Sequence, residues 1–181
     1  WVGAEESFRR AIRSRPNDAN AHWWLGHLLI VTGRSEQGLI ESRKALELDP
    51  LSTWYAASHI WHLRLSGRLK EALEVAREAV RLHPHDSILR MARGQALQEA
   101  GDAAGAVVEL EKAVAGDPNN DNLAQLASAY GAAGRQMDAR RLSSMLMERR
   151  KTQFVPAATF AIVHVGTKDR DQTLHWLEAA V

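Results

Sequence analysis

Four short stretches decide the fold: SRPND at residues 14–18, ELDPL at 47–51, RLHPH at 81–85 and AGDPN at 115–119. Each contains a proline, and the prolines at 16, 50, 84 and 118 stand 34 residues apart. A fixed period of this length indicates one supersecondary unit repeated along the chain, and 34 is typical of a helix–turn–helix unit. Because no period-2 alternation accompanies it, the sequence predicts stacked helix pairs and no sheet.

The residues between the prolines repeat as well. Leu25 and Leu29 lie four apart on one predicted helix and form an apolar stripe. The side-chain oxygens that follow the prolines, as in Asp18 and Ser52, are suited to cap the next helix. A glycine follows the first helix of each pair, where a left-handed residue is needed and a Cβ is unfavourable. These glycines are Gly33, Gly67, Gly101 and Gly134.

On these residues the chain resembles the tetratricopeptide-repeat family. The resemblance implies an all-α fold, a right-handed superhelix of antiparallel helix pairs known as an α-solenoid. We predict eleven helices in a single solenoid over residues 1–181, and the fifth repeat matches only if its register slips back by one residue. The predicted parts are the second half of a first repeat (1–17), four repeats (18–51, 52–85, 86–119 and 120–152) and a degenerate capping pair (153–181).

A narrower resemblance involves LSTWYAASHIW at 51–61 and the stretch from 140 to the end, which finishes in LHWLEAAV. These segments look like the C-terminal repeat regions of bacterial multidomain proteins that carry a winged-helix, protein-kinase or cyclase domain. Gly166 and Trp176 fit that pattern, whereas Asp171 and Gln172 predict a longer loop in the last pair. The resemblance implies the interaction or sensory arm of a larger bacterial regulator. Because the sequence has no initiator Met and no signal peptide, we expect Trp1 to be an internal residue of a longer protein, with a cytoplasmic location favoured and a periplasmic one open.

Composition limits the other functions. The formal net charge is +1, so no overall field attracts nucleic acid or an anionic membrane. The chain has no cysteine, which excludes disulfides and thiolate metal ligands. No apolar run approaches the ~20 residues that a membrane-spanning helix needs. We therefore predict no nucleic-acid or membrane binding by this chain.

The eight histidines raise the question of a metal site. His59 and His62 lie three apart on one predicted helix, and His83 and His85 flank a proline in a turn. No carboxylate stands at ligand spacing from them, so buried or surface histidines are favoured over zinc. No Ser-His-Asp or Cys-His arrangement can be assembled either. We predict no metal, no cofactor and no catalytic residue, and hence a protein that is not an enzyme.

A basic cluster lies on the second helix of the fifth repeat. Second helices face outward in this family, so the cluster is expected to be a solvated convex face, with cations near a helix C-terminus. A patch for nucleic acid or an acidic partner is the alternative. The cluster consists of Arg140, Arg141, Arg149, Arg150 and Lys151.

The family's first helices line a concave groove, and this resemblance supplies the candidate site. Its N-terminal half is aromatic and its C-terminal half polar, and aromatic side chains and Arg commonly anchor partner segments. We predict binding of a protein or peptide segment with an apolar or aromatic anchor; self-association through the same surface, giving a homodimer, is the alternative. Whether the tryptophans are anchors or core stays open. The candidate groove residues are Trp23, Trp24, His27, Trp54, Trp61, Arg64, Met91, Gln95, Gln98 and Gln125.

Overall fold

The computed structural model describes residues 2–180 of the protein, with only the backbone described for Val2. This part of the chain consists of helices joined by short turns and loops. Eleven α-helices and no strand occur in this part, which confirms the all-α prediction. The helices are α1 (Val2–Ser14), α2 (Ala19–Val31), α3 (Ser35–Leu48), α4 (Thr53–Leu65), α5 (Leu69–Leu82), α6 (Ser87–Glu99), α7 (Ala103–Gly116), α8 (Asn120–Ala132), α9 (Gln136–Arg150), α10 (Ala157–Gly166) and α11 (Arg170–Glu178).

Glycines end the first helix of four pairs in the left-handed conformation, as the sequence predicts. Gly33 has φ +85°, and the φ values of the three later glycines lie between +74° and +85°. At the first of these turns the Gly33 N–H donates to the Ile30 carbonyl, and the Arg34 N–H donates to the Leu29 carbonyl at 2.8 Å. This pair of hydrogen bonds is the Schellman motif, which satisfies carbonyls at a helix end.

The last helix pair corrects one expectation. Asp171 and Gln172 lie in the first turn of α11 and do not lengthen the loop, which consists of residues 167–169. The Asp169 side chain caps α11 by accepting a hydrogen bond from the Gln172 N–H. Lys168 occupies the position of the turn glycine with φ +58°. A lysine that adopts the left-handed conformation therefore keeps this loop as short as the others.

A capping side chain precedes the first helix of each of four repeats. The positions of these caps show where the repeat register slips by one residue. Asp18, Ser52, Asp86 and Asn119 each accept a hydrogen bond from a backbone N–H in the first turn. Four residues separate α3 from α4, but only three separate α7 from α8. The fifth repeat therefore starts one residue early because one residue is missing after Pro118.

The helices form two compact units, one through Pro84 and one from His85 onward. The N-terminal unit contains α1–α5 and buries Leu25, Leu29, Ile60 and Leu63. The C-terminal unit contains α6–α11, and its core includes aliphatic residues of α7–α9 together with Phe160. No helix in residues 2–180 is long and apolar enough to cross a membrane. The continuity of the two units as a single solenoid stays a prediction.

Two glycines bring α2 and α3 into backbone contact. A Cβ placed on Gly26 would lie 2.9 Å from the Gly38 carbonyl oxygen, and one on Gly38 would lie 2.8 Å from the Gly26 carbonyl oxygen. Real Cβ atoms do not approach so closely, so both positions require glycine for steric reasons. The α2–α3 pair is consequently packed backbone against backbone.

Several members of the basic cluster on α9 have partners within the chain. Arg149 donates to the Pro118 carbonyl and to Asn120, and Lys151 pairs with Glu148. The Arg150 guanidinium lies 5.0 Å from the centre of the Trp176 ring. These contacts give Arg149, Arg150 and Lys151 local structural roles at the C-terminal end of α9.

Candidate functional site

Five of the predicted groove residues come together on α2 and α4 in a continuous aromatic cluster, which Phe8 of α1 extends. Trp23 and Trp24 meet edge to face with ring centres 4.4 Å apart. Trp54 lies 5.6 Å from Trp23, and Trp61 stacks on His27 at 5.3 Å with an interplanar angle of 15°. The aromatic cluster consists of Phe8, Trp23, Trp24, His27, Trp54 and Trp61.

The outer indoles of the aromatic cluster are largely open to solvent. Trp24 is 42% exposed and Trp54 is 51% exposed, whereas Trp23, His27 and Trp61 are half-buried. The Trp23 Nε1–H is buried and has no hydrogen-bond partner among the described residues. Tryptophan N–H groups usually find an acceptor when they are buried. The surface thus combines exposed aromatic area with an unused donor beneath it.

A hydrogen-bonded network runs inward from His27, and we call it the histidine network. His27 Nδ1 lies 3.4 Å from His62 Nε2, and His62 Nδ1 lies 2.8 Å from Ser42 Oγ. Ser42 Oγ also lies 3.0 Å from His59 Nδ1. His59, His62 and Ser42 are all buried. The network therefore joins α2, α3 and α4 beneath the aromatic cluster.

Burial keeps the inner histidines uncharged. Loss of hydration lowers the pKa of His62 to about 3 and that of His59 to about 4. Burial also lowers the pKa of His27 from its ordinary value of 6.5. At neutral pH the three imidazoles are therefore neutral, so each ring can offer one N–H donor and one nitrogen acceptor.

The other predicted groove residues have different surroundings. Arg64 lies on α4, one turn beyond Trp61, while Met91, Gln95 and Gln98 lie on α6 of the C-terminal unit, and Gln125 lies on α8. Met91 packs against the hydrophobic core of the C-terminal unit. Gln98 donates from Nε2 to Ser128 Oγ at 3.0 Å, and its buried Oε1 has no partner among the described residues.

The chemistry of the site is suited to binding. In the described part of the chain, no group of three or more His, Cys, Asp or Glu side chains is arranged to hold a metal ion. The aromatic cluster offers indole faces and edges, the Trp23 N–H and the His27 ring. Such groups hold apolar and hydrogen-bonding segments of a partner by burial and by directional contacts.

Sequence reasoning missed the histidine network. The spacing of His59 and His62 indicates that they share one helix, but it does not connect them with Ser42. A signal was present: Ser42 occupies the position that Ala76 and Leu110 hold one and two repeats later. A hydroxyl at a position that is aliphatic in the next two repeats indicates a buried hydrogen-bond partner.

Two family profiles, both described as tetratricopeptide repeat, match the chain. One covers residues 3–53, and the other covers residues 63–130. Together they span about two thirds of the chain. α2 and Ser42 lie within the first match, whereas His59 and His62 of α4 lie between the two. The repeats inferred from the proline spacing are thereby confirmed.

The chain is also similar to a known protein sequence and to solved structures. The chain is 46% identical over 57 residues to cellulose synthase operon protein C of Escherichia coli K12, a match that covers 32% of this chain and 5% of that protein. The structure of PilW, a type IV pilus biogenesis factor, has a TM-score of 0.71 at 18% identity, covering 96% of this chain and 81% of that one.

The structure of YrrB, described as a tetratricopeptide-repeat protein with an unusual peptide-binding site, has a TM-score of 0.59 at 22% identity. That match covers 97% of this chain and 91% of YrrB. At such identities the likeness of both structures shows the fold, and the chain spans only a small part of its Escherichia coli relative.

Proposed function

The chain belongs to the tetratricopeptide-repeat family, and on that basis we propose that it is a non-catalytic scaffold whose aromatic cluster binds an apolar or aromatic anchor of a protein or peptide partner. Proteins of this family act as protein–protein interaction scaffolds, and the similar protein YrrB has a peptide-binding site. The observation that carries the proposal is the aromatic surface of α2 and α4, where Trp24 and Trp54 are about half exposed.

The exposed indoles make such binding favourable. Burying apolar surface stabilises a complex by roughly 25 cal/mol per Å², and an aromatic side chain contributes 150–250 Å² when it is fully buried. A partner that covers Trp24 and Trp54 would remove from water the 42% and 51% of these residues that are exposed in the free protein.

The test is binding of a selected peptide to the full chain and to Trp54→Ala. A phage-displayed library of 12-residue peptides would be selected on the immobilised protein at pH 7.5, and the peptide obtained would be titrated by fluorescence anisotropy. Truncation of a central anchor should weaken binding by about thirtyfold, or ~2 kcal/mol. Gln98→Ala should cost under ~1 kcal/mol.

Leu174→Ala is the matched control because Leu174 is 47% exposed and lies in the C-terminal unit, on α11. Circular dichroism would establish that each variant is folded. A folded Trp54→Ala variant with unchanged affinity would contradict the proposal.

Self-association through the same surface is the second candidate. The half-buried Phe8 of α1 stacks on Trp24, so α1 contributes apolar surface beside the aromatic residues of α2. Sedimentation velocity over a hundredfold range of concentration separates the two candidates. A dimer that dissociates in Trp24→Ala would support self-association. A protein that is monomeric at all concentrations would contradict self-association and leave partner binding as the remaining candidate.

We also propose that the chain is the interaction or sensory arm of a larger bacterial regulator. The support is the sequence resemblance around 51–61 and 140–181. A cytoplasmic location belongs to this proposal, because winged-helix domains act on DNA there. Reading the coding sequence upstream of Trp1 tests it: a winged-helix, protein-kinase or cyclase domain would support the proposal, and a different fused domain would contradict it.

A further inference from the structure

We propose that partner binding at the aromatic cluster is gated by protons, so that a partner held at neutral pH is released when His27 becomes charged. The inference rests on the proposed function of the aromatic cluster. It starts from the position of His27, which belongs both to the aromatic cluster and to the histidine network. One imidazole ring therefore connects the exposed indoles with the buried polar groups.

Because Ser42 has a single hydroxyl hydrogen, the hydrogen bonds of the histidine network run in one of two opposite directions. Ser42 lies within hydrogen-bond distance of both His59 Nδ1 and His62 Nδ1, but it has only one hydrogen to donate. In one arrangement His59 donates to Ser42, Ser42 donates to His62, and His62 donates from Nε2 to His27. In the other arrangement His27 donates to His62, His62 donates to Ser42, and Ser42 donates to His59. Both arrangements form all three hydrogen bonds of the histidine network.

A proton on His27 is compatible with only the second arrangement. The imidazolium carries hydrogens on both ring nitrogens, so Nδ1 must donate and His62 Nε2 must accept. His62 then carries its hydrogen on Nδ1, which requires Ser42 to accept from it and to donate to His59. Charging His27 at the surface thus restricts two buried histidines to one tautomer each without breaking a hydrogen bond.

The neighbouring helices do not hold a positive charge at His27. From α1 the uncharged Phe8 packs on Trp24. From α3, Glu41 is already bonded to His22, and Arg43 lowers the pKa of His59. α4 contributes the neutral His59 and His62 and the cationic Arg64. Glu71 of α5 raises the pKa of His59, opposite to the effect of Arg43.

A bound partner makes the charge still less favourable. An apolar segment lying over Trp54, Trp61 and His27 removes water from the imidazole, and burial disfavours the charged form. The bound complex therefore takes up its proton at a lower pH than the free protein does. By linkage, the affinity falls as the pH drops below the pKa of His27 in the free protein, by up to about tenfold per pH unit.

The experiment compares peptide affinity at pH 7.5 and pH 5.5. The probe is a peptide selected at pH 7.5 from a library that lacks His, Asp and Glu and has blocked ends, so that the peptide itself does not titrate. The wild-type chain should bind more weakly at pH 5.5 than at pH 7.5, because a charge on His27 opposes binding. His27→Phe keeps a ring on Trp61 but cannot be charged, so the ratio of its two dissociation constants should be close to one.

His85→Gln is the control for a histidine outside the site, because His85 is exposed and lies in the C-terminal unit. It should keep the full pH dependence. A wild-type change of less than twofold, or a His27→Phe variant that keeps the dependence, would overturn the proposal. Circular dichroism at both pH values establishes that the loss of binding is not acid unfolding.

A second measurement needs no partner. The Cε1–H resonance of His27, followed by NMR against pH, should titrate below 6.5 in the free protein. In Ser42→Ala the His62 Nδ1–H of the charged state loses its acceptor, so the His27 midpoint should move to a lower pH. An unmoved or higher midpoint would overturn the relay through Ser42. Failure of every peptide to bind at pH 7.5 would instead overturn the proposed function, while the His27 titration would still decide whether the surface takes up a proton.

Discussion

The N-terminal and C-terminal units place different chemistry at the same position of the repeat. Ser42 in the N-terminal unit hydrogen-bonds two buried imidazoles. Two repeats later, the fully buried Leu110 fills the corresponding place and packs against Gly94, where a Cβ would lie 2.6 Å from the leucine Cγ. The helix positions are common to both units, whereas the side chain at this one buried position is polar in the first and aliphatic in the second. The repeat thus sets the backbone, and single side chains decide what each layer can do.

Low pH should destabilise the N-terminal unit more than the C-terminal unit, and this is the largest effect that we expect. The folded pKa values of His59 and His62 are about 4 and about 3, below 6.5. The unfolded chain therefore binds more protons between these values, and stability falls as pH drops through this window. At pH 5 each histidine should cost about 2 kcal/mol relative to pH 7.5, or about 4 kcal/mol together.

Hydrogen exchange at pH 7.5 and pH 5, corrected for intrinsic rates, measures this loss for each helix. Protection in α2–α4 should fall far more than protection in α6–α8. In the described part of the C-terminal unit, the half-buried His164 is the histidine whose pKa is lowered by burial. Equal losses in the two units would show that the buried histidines do not control acid stability.

Leu110→Ala should destabilise the C-terminal unit by about 3 kcal/mol. The side chain is fully buried, and its removal leaves a cavity that the surrounding helices fill only partly. Urea unfolding followed by circular dichroism gives the free energy of unfolding. Val108→Ala on the same helix is the control, since Val108 is 48% exposed and should change stability by less than ~0.5 kcal/mol.

Ser42→Ala, the equivalent truncation in the N-terminal unit, should cost about 2 kcal/mol for a different reason. It leaves almost no cavity, but it removes the hydrogen-bond partner of two buried imidazoles, and a buried unsatisfied polar group costs about 1–3 kcal/mol. Urea unfolding is again the measurement, and the exposed Ser144→Ala on α9 is the control. A cost as small as that of the control would mean that Ser42 is not a structural link.

Lys168→Gly should give the smallest effect, a stabilisation of about 0.5–1 kcal/mol. A non-glycine residue in the left-handed conformation costs about 1–2 kcal/mol, and the greater freedom of glycine in the unfolded chain offsets part of the gain. Gly67→Ala, at the equivalent turn of the N-terminal unit, should destabilise instead, because Gly67 has φ +74°. Thermal unfolding of both variants gives the comparison, and a lowered melting temperature for Lys168→Gly would contradict it.

The sequence predicted the backbone well because its signals are local. The turn glycines, the capping oxygens of Asp18 and Ser52 and the one-residue slip each act within a few residues, and each is found as expected. The last loop was predicted wrongly because Lys168 adopts a conformation that sequence patterns assign to glycine.

The assembly of the aromatic cluster followed from the register of α2 and α4. The histidine network did not, because the contacts of Ser42 with His59 and His62 join residues 17 and 20 positions apart, and periodicity does not reveal which polar groups pair.

The contact between Gly26 and Gly38 has a mechanical consequence. Because no side chain separates α2 from α3 at this contact, neither helix can slide or roll on the other without a backbone collision. The pair therefore moves as one rigid body. Any widening of the aromatic surface between α2 and α4 around a bulky anchor must then come from a shift of α4 against that pair of helices. The seam that would open is the layer between α3 and α4 where Ser42 lies, so a large ligand would strain the hydrogen bonds of the histidine network before it strained any helix.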